Sequence, residues 1–292
     1  MSAKMKITAG LGTLEQYDAY VEAGADELFC GVVPFEWLEK YGVMLPLNRR
    51  EVLLYPTQIA SMEDMRLLSR MAERDRVPVA VTMNSFCYNP EALSDAARLM
   101  EELTQMGFTR FIISDPALLL KLPAGCTAHI SGEWGEMSRA GMEWFRNKPV
   151  SRVIFHRKVT IPEMAACASV LPDLEYEAFL MNERCFYTGA YCNSLHCDEL
   201  PHICRIPWVM GGAEEPMAAA EEAARGGSDG CGLCAIEALW KAGITHLKIV
   251  GRGDTTEHMV KTIKTVKDAL INPSAVDKIH CGGACYYKEE TV

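Results

Sequence analysis

Eight short apolar runs, most of them separated by segments of helical spacing, restrict the fold of this chain more than any other feature. The runs are Lys6–Gly10, Glu27–Gly31, Pro78–Asn84, Phe111–Asp115, Thr127–Ser131, Arg152–His156, Leu174–Leu180 and His246–Gly251. Each is rich in Val, Ile, Phe or Leu, and most end in a polar or small residue. Leu14–Ala23, Ser61–Arg74, Pro90–Met106, Gly135–Arg146, Ile161–Val170, Ala235–Ala242 and Thr256–Leu270 read as helices from their apolar periodicity. Thr13 followed three residues on by Gln16 forms a capping-box pattern, and Gly24 stands where a helix stops. Strand–helix alternation implies a mainly parallel sheet. Eight rounds of it favour a closed (β/α)8, TIM-barrel-like fold, with an open doubly wound sheet as the alternative.

Two stretches break the alternation. Residues 35–57 form a long connection that contains Arg49-Arg50-Glu51. Residues 181–230 form a cysteine-rich excursion between the seventh and eighth strands, in which Glu214–Arg225 reads as a short acidic helix. Loops of that length in a compact domain carry function or are disordered. The expected organisation is one barrel domain over residues 1–270, including a cluster-binding segment at 181–234, followed by a tail at 271–292.

Charge and hydropathy narrow the function. The net charge is −10 and no basic face stands out, which disfavours direct nucleic-acid binding. No apolar run reaches the roughly 18 residues of a membrane span. The opening Met1-Ser2-Ala3-Lys4-Met5-Lys6 lacks the apolar core of a secretory signal, so the expected location is the cytoplasm.

The twelve cysteines are the main chemical signal. Without a secretory signal, a disulfide framework is the weaker reading. Cys30, Cys126 and Cys167 read as small core hydrophobes, and Cys87 is likewise isolated. From Cys185 onward the thiols crowd together: Cys185, Cys192, Cys197, Cys204, Cys231 and Cys234, then Cys281 and Cys285 in the tail. Converging thiolates hold iron–sulfur clusters or zinc, and Cys231-x-x-Cys234 is a pair that zinc sites use. Spacing alone does not separate the two metals. The tail pair Cys281-Gly-Gly-Ala-Cys285 suits a second metal half-site, a redox pair or a docking element, and a thiol pair without catalytic role is the expectation.

The ordered motifs resemble the peptidase U32 family. Ala9-Gly10-Leu11-Gly12-Thr13-Leu14-Glu15 with Ala23-Gly24-Ala25-Asp26-Glu27-Leu28-Phe29-Cys30-Gly31 is similar to its first βαβ signature. Asn84, Ser114-Asp115-Pro116 and the segment from Arg152 to Arg157 fall where its later strands end. Glu177 to Cys185, Gly189 to Cys192, Cys204-Arg205-Ile206-Pro207-Trp208 and Cys234 to Gly243, with Lys248 to Arg252, resemble its remaining motifs. The resemblance spans about residues 6–265. It implies a [4Fe–4S] cluster on Cys185, Cys192, Cys204 and Cys234, with zinc as the alternative and Cys197 and Cys231 as substitute ligands. Lys158 stands where the family usually has an acidic residue.

A barrel carries its site at the C-terminal ends of its strands. The candidates there are Asn84, Asp115, Ser131, His156, Arg157, Glu177, Lys248 and Arg252. Asp115 before Pro116 also reads as a turn cap, and mid-strand Glu177 as a barrel-interior partner of Lys248 or Arg252. By the resemblance, the chain is an iron–sulfur enzyme of oxygen-independent hydroxylation or a related redox modification. Its substrate would be a small aromatic or nucleobase-type molecule, with a carboxylate such as prephenate as oxygen donor. An electron donor or a paralogous protein would be its partner. A collagenase-like peptidase and a non-catalytic cluster-carrying subunit are the alternatives.

Overall fold

A computed structural model describes residues 5–42, 45–49, 57–135, 138–183, 229–272 and 285–287. Eight parallel strands close into a barrel: β1 (Lys6–Gly10), β2 (Glu27–Cys30), β3 (Val79–Met83), β4 (Arg110–Ile113), β5 (Thr127–Ile130), β6 (Val150–Ile154), β7 (Glu175–Glu183) and β9 (His246–Ile249). Neighbours pair in chain order from β1 to β7, β9 lies between β7 and β1, and the β6–β7 pairing completes the ring. The closed (β/α)8 expectation holds, and all eight expected strands form, seven of them within two residues of their expected limits and β7 running three residues past its expected end.

The helices occupy the expected places. Gln16 Oε1 accepts the backbone N–H groups of Gly12 and Thr13 at 3.1 and 3.2 Å, the reciprocal arm of the expected capping box. Gly24 ends the first helix at φ +109°, which its lack of a side chain allows. Asn89, with Pro90 behind it, caps the helix Pro90–Gln105 by accepting from Ala92 N–H at 2.8 Å.

Three features were not anticipated. The connection expected at 35–57 contains a helix, Phe35–Tyr41, anchored by buried Trp37, whose indole N–H donates to Leu45 O at 2.9 Å. A one-turn helix, Pro116–Leu119, follows β4. A ninth strand, β8 (Asp229–Cys231), runs antiparallel to the extended end of β7 and pairs Met181 with Cys231. It occupies the end of what the sequence presents as a loop. The expected helix at Glu214–Arg225 lies outside the described residues.

Two apolar clusters divide the interior. The larger packs the outward strand faces against the helices and takes in Cys30, Cys126 and Cys167, as expected of core thiols. The smaller comprises Phe29, Ala80, Ile112, Ile154, Phe179 and Val250, and lies inside the barrel. Strand side chains alternate between faces. The interior is therefore read in steps of two: Glu27 then Phe29, Arg152 then Ile154, Glu177 then Phe179, Lys248 then Val250. Each step moves toward the C-terminal mouth.

Candidate functional site

The lower interior layer is ionic. Arg152 donates to Glu27 at 2.7 and 2.9 Å, to Glu177 at 2.8 Å and to Glu175 at 2.8 and 3.1 Å. β2 and β6 are not neighbours in the sheet, so the Arg152–Glu27 pair bridges the barrel interior. Glu177 takes a second cation, Lys248 Nζ, at 2.7 Å. Arg152, Glu27 and Glu177 are each at most 2 % exposed. Burial alone would favour a neutral Glu177, but Lys248 and Arg152 outweigh it and hold the carboxyl at about 2.

Two histidines complete the layer. His246 Nε2 faces Arg152 at 2.8 Å, and a guanidinium only donates, so Nε2 accepts and Nδ1 carries the proton. That proton points to Thr245 Oγ1 at 2.8 Å. Burial first, and the Arg152 charge second, push His246 down to about 4. The same causes keep His129 well below the ordinary histidine range.

Above this layer the smaller apolar cluster forms a floor, and the mouth begins over it. Phe29 has the Lys248 ammonium 3.7 Å from its ring centre and the Arg252 guanidinium at 5.9 Å. Arg157 stacks 3.9 Å from the Phe179 ring. Arg252 Nη1 donates to Thr82 Oγ1 at 3.2 Å and reaches Asn48 Oδ1 at 3.5 Å. Asn48 and Gln58 bond each other amide to amide. Gly31 makes room for this seat: a Cβ there would stand 2.2 Å from Gln58 Oε1 and 2.4 Å from Arg252 Nη1.

A second part of the rim is built on Asn84. Its Oδ1 accepts the backbone N–H of Arg49 at 3.1 Å, and its Nδ2 donates to Ser131 Oγ at 3.2 Å. Arg49 lies over Phe86 at 4.2 Å and 3.9 Å from Glu133 Oε2. Asp115 accepts from Ala117 N–H at 2.6 Å and Tyr88 N–H at 2.8 Å, so it caps the short helix and ties β3's loop to β4's. Half-buried His156 accepts the Lys158 N–H on Nδ1 at 3.2 Å. Burial, then the Lys158 charge, lowers its pKa.

The expected residues thus divide. Arg157, Arg252, Asn84, Asp115 and His156 follow the C-terminal strand ends. Glu177 and Lys248 lie below the apolar floor and pair with each other, as one of the two expected partnerships; Arg252 bonds Thr82 and Asn48. Sequence reasoning did not single out Arg152, Glu27, His129, His246 or the Arg49–Glu133 pair. Ionisable residues two apart in otherwise apolar strands, as in Glu175-x-Glu177 and His246-x-Lys248, are the signal that marks an interior layer.

Of the expected metal ligands, Cys234 is described. Cys185, Cys192 and Cys204, like Cys197 and Cys281, lie outside the described residues. Cys234 sits in a tight turn, Leu233–Ala235, just after β8 and is exposed. Its Sγ lies 3.5 Å from Sγ of Cys285. Two adjacent sulfurs fit the donor chemistry of a thiophilic metal or an iron–sulfur group. Among the described residues, no group of three or more His, Cys, Asp or Glu side chains gathers to hold a metal ion.

The model of peptidase family U32 matches residues 12–280, which include every strand of the barrel except β1. The chain belongs to peptidase family U32. Among solved structures, the U32 peptidase Mk0906 is 12% identical over 62% of this chain and 70% of its own, with a TM-score of 0.46. The protein described as native KDPGal is 10% identical over 96% of this U32 chain and 99% of its own, with a TM-score of 0.51, and shares the fold. Phosphoribosyl anthranilate isomerase from Thermus thermophilus is 12% identical over 91% and 100%, with a TM-score of 0.46. None of the curated proteins compared matches. No described helix is long and apolar enough to cross a membrane.

Proposed function

We propose that this U32 chain is an iron–sulfur enzyme that modifies a small aromatic or nucleobase-type substrate by oxygen-independent hydroxylation or a related redox reaction. The observation that carries the reading is the position of the Cys234 thiol, in the turn that follows the C-terminal extension of β7 and β8, with a second sulfur beside it. Cys185, Cys192, Cys204 and Cys234 would hold the cluster, and its chemistry is one-electron transfer.

The chain's own residues do the rest. Arg157 and Arg252 lie over the rings of Phe179 and Phe29. A planar substrate entering above these rings meets an apolar floor with two guanidinium groups, a pairing that suits an aromatic body carrying a carboxylate. Hydroxylation without O2 transfers one oxygen atom from a donor, which departs reduced by two electrons. A small organic acid is such a donor, and the arginines would hold its carboxylate. Glu177, Lys248 and Arg152 hold the interior beneath, and their pairing keeps the floor in place.

Anaerobic purification followed by iron, sulfide and EPR measurement tests the reading. The expected result is about four iron and four sulfide per chain. A metal-free chain that hydrolyses peptides as fast as the anaerobic preparation would replace this reading with the peptidase one.

A further inference from the structure

We infer that Cys285 is a metal ligand, and that in the chain without its cluster Cys234 and Cys285 chelate a single soft metal ion as a thiolate pair. The inference rests on the reading of Cys234 as a metal ligand and brings in a thiol from the tail, outside the four cysteines assigned by resemblance; a four-iron core takes one thiolate per iron, so the pair and the cluster are alternative occupants of Cys234. Two sulfurs on one tetrahedral ion, with bonds of about 2.3 Å, stand about 3.8 Å apart. The Cys234–Cys285 separation of 3.5 Å is close to that edge. Thiolates on different irons of a four-iron core stand farther apart, so the pair is suited to one ion.

The tail is built to deliver this thiol. Cys285 forms a parallel bridge with Cys231, and the Tyr286 N–H donates to Cys231 O at 3.0 Å. The Tyr286 hydroxyl donates to Asn182 O and the Tyr287 hydroxyl to Phe179 O, both on β7. The glycines that flank Cys231 make room for the two rings. A Cβ on Gly230 would stand 2.5 Å from the Tyr286 ring, and one on Gly232 would stand 2.9 Å from the Tyr287 ring. Three hydrogen bonds and two seated rings therefore fix the residue whose side chain ends beside Cys234.

Cadmium titration of the metal-free full-length chain tests the pair, because the thiolate-to-cadmium absorption counts sulfurs directly. Cys234→Ser and Cys285→Ser should each remove one thiolate's absorbance and weaken cadmium binding roughly tenfold or more. Cys87→Ser should leave both unchanged. In the unsubstituted metal-free chain, diamide should take two hydrogens from the pair and leave a Cys234–Cys285 disulfide, seen as a cross-linked peptide. One equivalent of cadmium should suppress it. Cys285→Ser with wild-type cadmium absorption, no cross-link, or a cross-link indifferent to cadmium would each overturn the inference. Iron-free anaerobic protein with both cadmium losses intact leaves the chelate standing and removes the iron–sulfur reading. Iron-loaded protein with Cys285→Ser unchanged in iron and cadmium does the reverse.

Discussion

Replacing Arg152 by Met removes the guanidinium at the centre of the barrel and keeps most of its length. Three carboxylates then lose a partner, but unequally. Glu175 is 40% exposed and turns to water, so its loss is small. Glu177 keeps Lys248 at 2.7 Å. Glu27 is the residue left in difficulty: its side chain is 3% exposed, it loses both short bonds, and its remaining cation is Arg110 at 3.6 Å. Removing one partner of a buried pair costs about 3–5 kcal/mol. At roughly 2–4 °C per kcal/mol for chains of this size, the expected fall in melting temperature is about 10 °C. Differential scanning calorimetry at pH 7.5 measures it. The double variant Arg152→Met with Glu27→Leu should recover at least about 2 kcal/mol of that loss, because no buried charge is then stranded. A loss below about 1 kcal/mol for Arg152→Met, or a double variant whose cost equals the sum of the singles, would refute the account of an interior held by charge pairing.

Stability should fall with acid in two overlapping stages. Folding depresses His246 from 6.5 to about 4, so its contribution is complete above pH 6.5 and is lost as pH falls toward 4. Glu177, depressed from 4.5 to about 2, adds a loss between those values, and a melting temperature constant from pH 7 to 3 would contradict both. Arg252→Gln should weaken binding of the small organic acid, measured calorimetrically with prephenate, by about 10- to 100-fold, the loss of one charge-assisted hydrogen bond. Gly31→Ala should weaken the same binding by displacing the Arg252 guanidinium, with unchanged helical circular dichroism. Asp115→Ala should cost about 1–2 kcal/mol in urea unfolding, because it uncaps Ala117 and releases Tyr88.

What the sequence makes legible follows from periodicity. Parallel strands buried on both faces are continuous apolar runs, and helices between them repeat at 3.6 residues, so the strand–helix alternation could be read without tertiary information, and its eight rounds favoured closure over the open sheet that the β9–β1 pairing excludes. The core thiols were legible for the same reason: Cys30, Cys126 and Cys167 lie in or beside apolar runs. The division between Glu177 and Arg157 was half legible. Spacing places Glu177 mid-strand, but only the registry of β6, β7 and β9 shows that Arg152 and Lys248 converge on it. The helix Phe35–Tyr41 escaped because its seven residues, about two turns, are too short a window to reveal a period. The docking of Cys285 beside Cys234 spans 51 residues and depends on two glycines and two tyrosines. No local pattern in the tail encodes where its partner lies.

The layering of the barrel constrains where chemistry can happen. An ionic layer with Glu177 held ionised and both histidines held neutral has little capacity to exchange protons near pH 7. Phe29, Ile112, Ile154 and Phe179 stand between it and the mouth, so a substrate in the mouth meets rings and guanidinium groups before any carboxylate of that layer. General acid–base chemistry by Glu177 would require that floor to open, whereas anion binding and electron transfer at the rim require no such movement. The same arrangement explains why a tail should be recruited to the mouth. The strand ends supply cations and apolar surface, while the soft donors come from the β8 turn and from a terminus anchored by Tyr286 and Tyr287 on β7. A barrel whose interior is already committed to ion pairing can acquire a metal centre only at its edge, and the Cys234–Cys285 pair is a place on that edge where two described sulfurs meet.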